Sequence, residues 1–167
     1  AIGGEGTFAV CTDFGITLVT TNGGRGSETA ATLIPGVYSA EEIVPAGWDL
    51  NSATCDENTP TTGIYSQTSE EIICTFTNTK KGTITLKKIS IGGDGTFAFD
   101  TDFGITSVTT SGGMGSETSA TLTPGVYSAE EIVPAGWDLN SATCDDNSPI
   151  TAIDLQTNEE IICTFTN

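Results

Sequence analysis

The sequence has no histidine, one methionine and only five basic residues among 167. Without histidine, the most common general base near neutral pH and the most common nitrogen ligand for metals are both missing. There is no Gly-x-Ser-x-Gly elbow and no phosphate-cradling loop. Neighbouring carboxylates such as Glu130 and Glu131 would face opposite ways on a strand and could not share a substrate. The reading is therefore not an enzyme, with no cofactor and no metal site. Long apolar runs are also absent, so no membrane-spanning helix is expected. No signal peptide is visible, and Ala1 fits a processed terminus. The five Lys and Arg stand against 22 Asp and Glu, a net charge of −17. So acidic a surface repels nucleic acid and anionic membranes, and membrane insertion is excluded as well.

What the sequence does contain, it contains twice. Residues 1–78 align without a gap on residues 90–167 at an offset of 89, with 62 of 78 positions identical. Two tandem domains follow: a first repeat over 1–78, a linker over 79–82, and a second repeat over 83–167. Domains this small bury modest cores and often need a covalent staple. Cys55 and Cys74 occupy the same repeat positions as Cys144 and Cys163, 19 residues apart in each copy. No second ligand lies close to any of them, so two disulfides fit better than zinc. Each would close a loop worth about 3 kcal/mol and would point to an oxidising, extracellular space. Cys11, opposite Asp100 in the alignment, is the odd one, read as a free thiol with an intermolecular link as the alternative.

Short alternating runs bounded by Gly, Pro and Asn recur through the second copy. Strands are expected at 83–90, 96–101, 105–110, 117–123, 126–133, 137–144, 153–156 and 160–166, with a turn at 111–115. No stretch has a helical period, and the fold class is all-β, two tandem Ig-like β-sandwiches.

Only residues 79–90 occur once, and they hold all four lysines. The second copy thus has a first strand, Thr83, Ile84, Thr85, Leu86, Lys87, Lys88 and Ile89, that the first copy lacks. A sandwich short of an edge strand leaves backbone groups unpaired. Three completions are open: residues ahead of Ala1, the 83–89 strand serving the first copy, or a strand added by another molecule. The last two imply head-to-tail association, which gives filaments when it does not close. A lysine-rich strand would also suit an acidic acceptor.

Alternation places three polar groups on inward faces: Lys88 after Ile84 and Leu86, Glu131 after Tyr127 and Ala129, and Asn167 after Cys163 and Phe165. A buried lysine tends to lose its proton, and a carboxyl group beside it could shuttle protons. A neutral amine against a carboxamide could then form an amide cross-link with loss of ammonia. The alternative is a buried Lys88–Glu131 ion pair, with Asn167 merely ending its strand.

The segments GTITLKK, GVYSAEEIVPAGW and CTFTN together resemble the prealbumin-like repeats of bacterial surface proteins, of the Cna B or SpaA type. The resemblance covers the whole chain, twice. It implies a prealbumin-like sandwich and, residue by residue, an isopeptide bond between Lys88 and Asn167 assisted by Glu131. In the first copy Glu42 and Asn78 match, but no lysine does. The expected function is a structural subunit of an extracellular, pilus-like bacterial filament, a homopolymer joined by strand exchange. One alternative is a stalk or adhesin fragment of a longer array. Another is a carbohydrate- or calcium-binding module, in which Asp94, Asp100 and Asp102 would hold the ion, Trp48 and Trp137 would stack on sugars, and surface glycans would be partners.

Overall fold

The computed structural model describes residues 1–56 and 59–167. All regular elements among them are strands, and the chain divides into two compact units, Ala1–Lys80 and Lys81–Asn167. In unit 1, β1 (Thr7–Thr12), β2 (Gly15–Thr20) and β4 (Ala40–Ile43) form a sheet in the order β2-β1-β4. β3 (Gly36–Tyr38) pairs with β6 (Ile64–Ser66), and β5 (Trp48–Cys55) with β7 (Cys74–Lys80). β7 thus takes up Thr79 and Lys80, two of the residues assigned to the linker from sequence; these pair with Asp49 and Trp48.

Unit 2 is a sandwich. One sheet contains β9 (Thr96–Thr101), β10 (Ser107–Thr109) and β13 (Ala129–Ile132) in the order β10-β9-β13. The other contains β8 (Thr83–Ile89), β11 (Met114–Thr118), β14 (Ser141–Cys144) and β16 (Glu160–Thr166) in the order β11-β8-β16-β14. β12 (Gly125–Tyr127) and β15 (Ile153–Leu155) make a small third ladder. Alternation decides which faces meet. Ile84 and Leu86 of β8, Ile161, Cys163 and Phe165 of β16, and Phe97 and Phe99 of β9 all point into one core. Phe99 meets Phe165 edge-to-face at 5.0 Å between ring centres.

Four strands differ from the sequence expectation, and the one expected at 105–110 is reduced to Ser107–Thr109. The run 126–133 is two strands in different sheets, because the Asp102 carboxylate takes the Ser128 N–H and hydroxyl between them. β11 starts at Met114, three residues ahead of the expected 117. Gly112 and Gly113, at φ 64° and 81°, confine the turn to two residues. The strand expected at 137–144 is reduced to Ser141–Cys144.

β8 has a neighbour on each edge. It runs antiparallel to β11 and parallel to β16 over seven register pairs, from Glu160↔Thr83 to Thr166↔Ile89. The segment proposed for exchange from sequence therefore lies inside its own unit and does not serve the first copy. Among the described residues of unit 1 no strand takes its place: β7 pairs with β5 on one edge, and Ile2 meets the other edge in a parallel bridge to Thr79. The segment equivalent to β11, residues 25–29, forms no strand, since the partner it would pair with is missing. The core follows suit. Ile72, Cys74 and Phe76 are half-buried where Ile161, Cys163 and Phe165 are fully buried. The main cluster of unit 1 is Val10, Ala40, Cys55 and Ile64.

Candidate functional site

Lys88, Glu131 and Asn167 meet in the core of unit 2. Lys88 is the third inward residue of β8, and its whole side chain is buried. Glu131 is inward on β13, in the opposite sheet, while Glu130 beside it is exposed. Asn167 follows β16 and is fixed by its backbone N–H to the Ile89 carbonyl at 3.0 Å. Parallel pairing of β8 with β16 brings Lys88 level with Phe165, which places the lysine and asparagine side by side. Lys88 Nζ donates to Glu131 Oε2 at 2.6 Å and to Asn167 Oδ1. Asn167 Nδ2 donates to Glu131 Oε1 at 2.7 Å. One carboxylate thus bridges the amine and the carboxamide.

Phe97 completes the enclosure. Its ring lies 4.3 Å from Lys88 Nζ and edge-on to Trp137 at 5.1 Å. Sequence reasoning did not assign Phe97 to the site. The available signal was the alternation of residues 96–101, which turns Phe97 toward the strand that carries the lysine. Burial pushes the Lys88 ammonium below its usual pKa of 10.5, and the hydrogen bond and charge of Glu131 offset part of that. The amine is thereby shifted toward its neutral, nucleophilic form beside an electrophilic carboxamide carbon.

Unit 1 holds the same site without the lysine. Asn78 Nδ2 donates to Glu42 Oε1 at 2.6 Å, and Phe8 packs edge-on to Trp48 at 5.1 Å, as Phe97 does to Trp137. Glu42 is 6% exposed and Asn78 is 3% exposed. Glu42 Oε2, at the repeat position where Glu131 Oε2 takes Lys88, is the buried side-chain oxygen without a partner among the described residues. Burial raises the Glu42 pKa above 4.5, against the lowering effects of the Asn78 hydrogen bond and the positive chain terminus.

The four paired cysteines fall in cross-strand register. Cys55 faces Cys74 across β5 and β7, and Cys144 faces Cys163 across β14 and β16; both pairs are bonded. Cys11 is a free, half-buried thiol. The acids considered for calcium are not brought together, and no metal-holding cluster occurs among the described residues. Asp94 takes the N–H groups of Gly113 at 2.7 Å and Gly112 at 2.9 Å, which hold its carboxyl below the usual pKa. Asp102 takes Ser128, as described above. The rings of Trp48 and Trp137 are used in packing against phenylalanine.

The chain resembles the major pilin proteins T-13 and T3.2 of Streptococcus pyogenes only loosely. The T-13 structure matches with a TM-score of 0.35 and 13% identity over 98% of this chain and 90% of that one. The T3.2 structure matches with a TM-score of 0.33 and 10% identity over the same shares. No curated protein sequence matches. The SpaA-type prealbumin-like fold domain matches residues 84–167, from the second residue of β8 through Asn167, and so takes in all three members of the buried cluster. The chain belongs to the family of SpaA-type prealbumin-like fold domains.

Proposed function

We propose that this protein is a structural subunit of an extracellular bacterial filament, built from two tandem sandwich domains, whose neighbours join by adding a β-strand to the open edge of β7. The carrying observation is the contrast between two nearly identical sequences. Unit 2, with a strand in that position, has a continuous core, whereas unit 1 has a half-open one. The strand that fits has the chemistry of Thr83–Ile89: isoleucine and leucine at two inward positions, then lysine, running parallel to β7. β8 is engaged in its own unit, so the strand that fills this edge comes from outside residues 1–167, on this reading from a neighbouring subunit. Charge favours the encounter, because unit 1 carries ten acids against two basic residues, Arg25 and Lys80. Disulfides in both units suit an oxidising exterior.

Within unit 2 the reading includes an amide bond between Lys88 and Asn167, with Glu131 moving the proton. A covalent tie across the sheet suits a fibre that must not come apart. Intact mass after reduction tests it: the chain should weigh less than its sequence by one ammonia, and full mass would exclude the bond. Negative-stain microscopy and sedimentation test the assembly. Regular fibres, blocked by an excess of a peptide with the sequence of residues 82–89, are expected; compact monomers indifferent to the peptide would overturn it.

A second reading is a stalk segment of a longer tandem array, in which a preceding copy supplies the strand in the same polypeptide. Ile2 favours it, since its bonds to Asn78 and Lys80 place it along the β7 edge, where a parallel strand would lead into it. On that reading a longer chain carrying a further copy is monomeric and refuses the peptide.

A further inference from the structure

We propose that the outward face of the β11-β8-β16-β14 sheet in unit 2 docks on the outward face of the β10-β9-β13 sheet in a second copy of this chain, with Lys87 of one copy seated over Asp100 and Glu130 of the other. The contact uses unit 2 alone and does not depend on strand addition at β7.

Two faces that point opposite ways carry the inference. The first is nearly free of charge, in a chain of net charge −17. Lys88 points inward on β8, so alternation turns Lys87 and Ile89 outward and inward groups away. Register sets Ser116 and Thr164 beside Lys87, and the exposed Met114 beside Ile89. Hydroxyl and aliphatic groups thus floor the face, and Glu160, at the far end of β16, is the one acid those four strands turn outward. Lys87 is exposed and has no ion-pair partner among the described residues. The second face carries the opposite charge. Asp100 of β9 and Glu130 of β13 are register partners, and both are exposed. Like charges directly opposite one another on a sheet repel, and neither carboxylate has an ion-pair partner among the described residues. A cation laid over the rung relieves both. In unit 1 Cys11 faces Glu41 at the same place, so that rung holds a single acid.

The two faces match rung for rung. The rung next to the acids pairs Ala98 with the exposed Ile132. The rung next to Lys87 pairs Ile89 with Met114. On both faces the step between rungs is two residues along a strand, about 6.5 Å. With Lys87 over the acidic rung, Ile89 and Met114 therefore fall on Ala98 and Ile132. The three-stranded face, about 14 Å by about 20 Å, limits the contact to about 600 Å² counted over both copies. A stable complex buries roughly 1,200 Å² or more, so a single contact is weak. The docking surfaces differ, so the contact is heterologous and each copy can take one neighbour on each face. Repetition along two filaments lying side by side multiplies it. That bundling rests on the filament reading; the contact itself does not.

The test treats the intact, concentrated chain with a water-soluble carbodiimide, which joins an amine to a carboxylate that it touches. Lys87 and the Asp100–Glu130 rung lie on opposite outer faces of one sandwich, so an amide between them forms only between copies. The expected product is a dimer on a denaturing gel, with peptide mapping placing the link from Lys87 to Asp100 or Glu130. Lys87→Glu, at an exposed position, should leave folding intact and weaken self-association in sedimentation about tenfold or more. Adding Asp100→Lys and Glu130→Lys to that variant should restore it, and about 0.5 M salt should weaken association of the unaltered chain. Links that never involve Lys87, or self-association unmoved by Lys87→Glu, would overturn the proposal. Fibres without the Lys87 link would overturn this contact and leave the filament standing. The Lys87 link in a chain that forms no fibres would confirm the contact and count against the filament.

Discussion

Replacing Glu42 with glutamine shows what it costs to bury a carboxyl group with one oxygen unpaired. Glu42 is 6% exposed, with one oxygen on Asn78 and the other on nothing among the described residues. Burial raises its folded pKa. A carboxyl group with a raised folded pKa keeps its proton in the folded chain after the unfolded chain has lost it. The folded state then binds more protons, and stability falls as pH rises. The benefit is complete below the unfolded value of about 4.3. It is lost progressively up to the raised folded pKa, beyond which the curve is flat. Within that window the loss approaches about 1.4 kcal/mol per pH unit, the limit for one proton. Glutamine does not titrate, so Glu42→Gln should remove the slope and leave a constant penalty of about 1–3 kcal/mol for an amide N–H with no acceptor. Urea unfolding at several values between about pH 4 and 8 measures both. Trp48, buried in unit 1, is the reporter, in a Trp137→Phe background that silences unit 2. Parallel pH curves for the proteins with and without the Glu42→Gln change would refute the reasoning, since they would mean that the carboxyl group is as well solvated folded as unfolded.

Three further outcomes are expected in unit 2. Lys88→Met takes the donor from the buried Glu131 Oε2 and prevents the amide, and should cost at least about 1–3 kcal/mol in equilibrium unfolding, with much of this recovered by adding Glu131→Leu; a loss below about 1 kcal/mol would contradict burial of the pair. Leu86→Ala, at a fully buried β8 position, should cost about 3–5 kcal/mol by the same assay, whereas Val37→Ala in unit 1, 68% exposed, should stay within about 0.5 kcal/mol. Replacing Cys144 and Cys163 together with alanine should lower stability by about 3 kcal/mol, and heat scans with and without reductant should differ only in the protein that keeps the pair.

The cluster was legible because strand alternation is a strict rule. Lys88, Glu131 and Asn167 each fall two residues beyond a clearly apolar inward position, so burial could be assigned without knowing the topology. The cysteine pairs were legible from repeat position. Strand breaks were not. Residues 126–133 look continuous, and what divides them is a carboxylate, Asp102, that lies 26 residues away from Ser128 in sequence. β11 also passes so close to its neighbour at Gly115 that a Cβ there would stand 2.1 Å from the Thr109 carbonyl oxygen. No local pattern reveals so close an approach. The difference between the units was legible only as a missing strand. Its effect on Ile72, Cys74 and Phe76 belongs to packing, because identical residues are buried or half-open according to what lies beside them.

The parallel run of β8 beside β16 also governs how unit 2 meets tension. A pull applied at Thr83 and at Asn167 acts along two strands that lie side by side in register. The sheet is then loaded in shear, with its rungs sharing the force at once instead of opening one after another like a zip. A Lys88–Asn167 amide would shorten the load path to β8 and a single covalent rung, leaving the loop of chain between them slack.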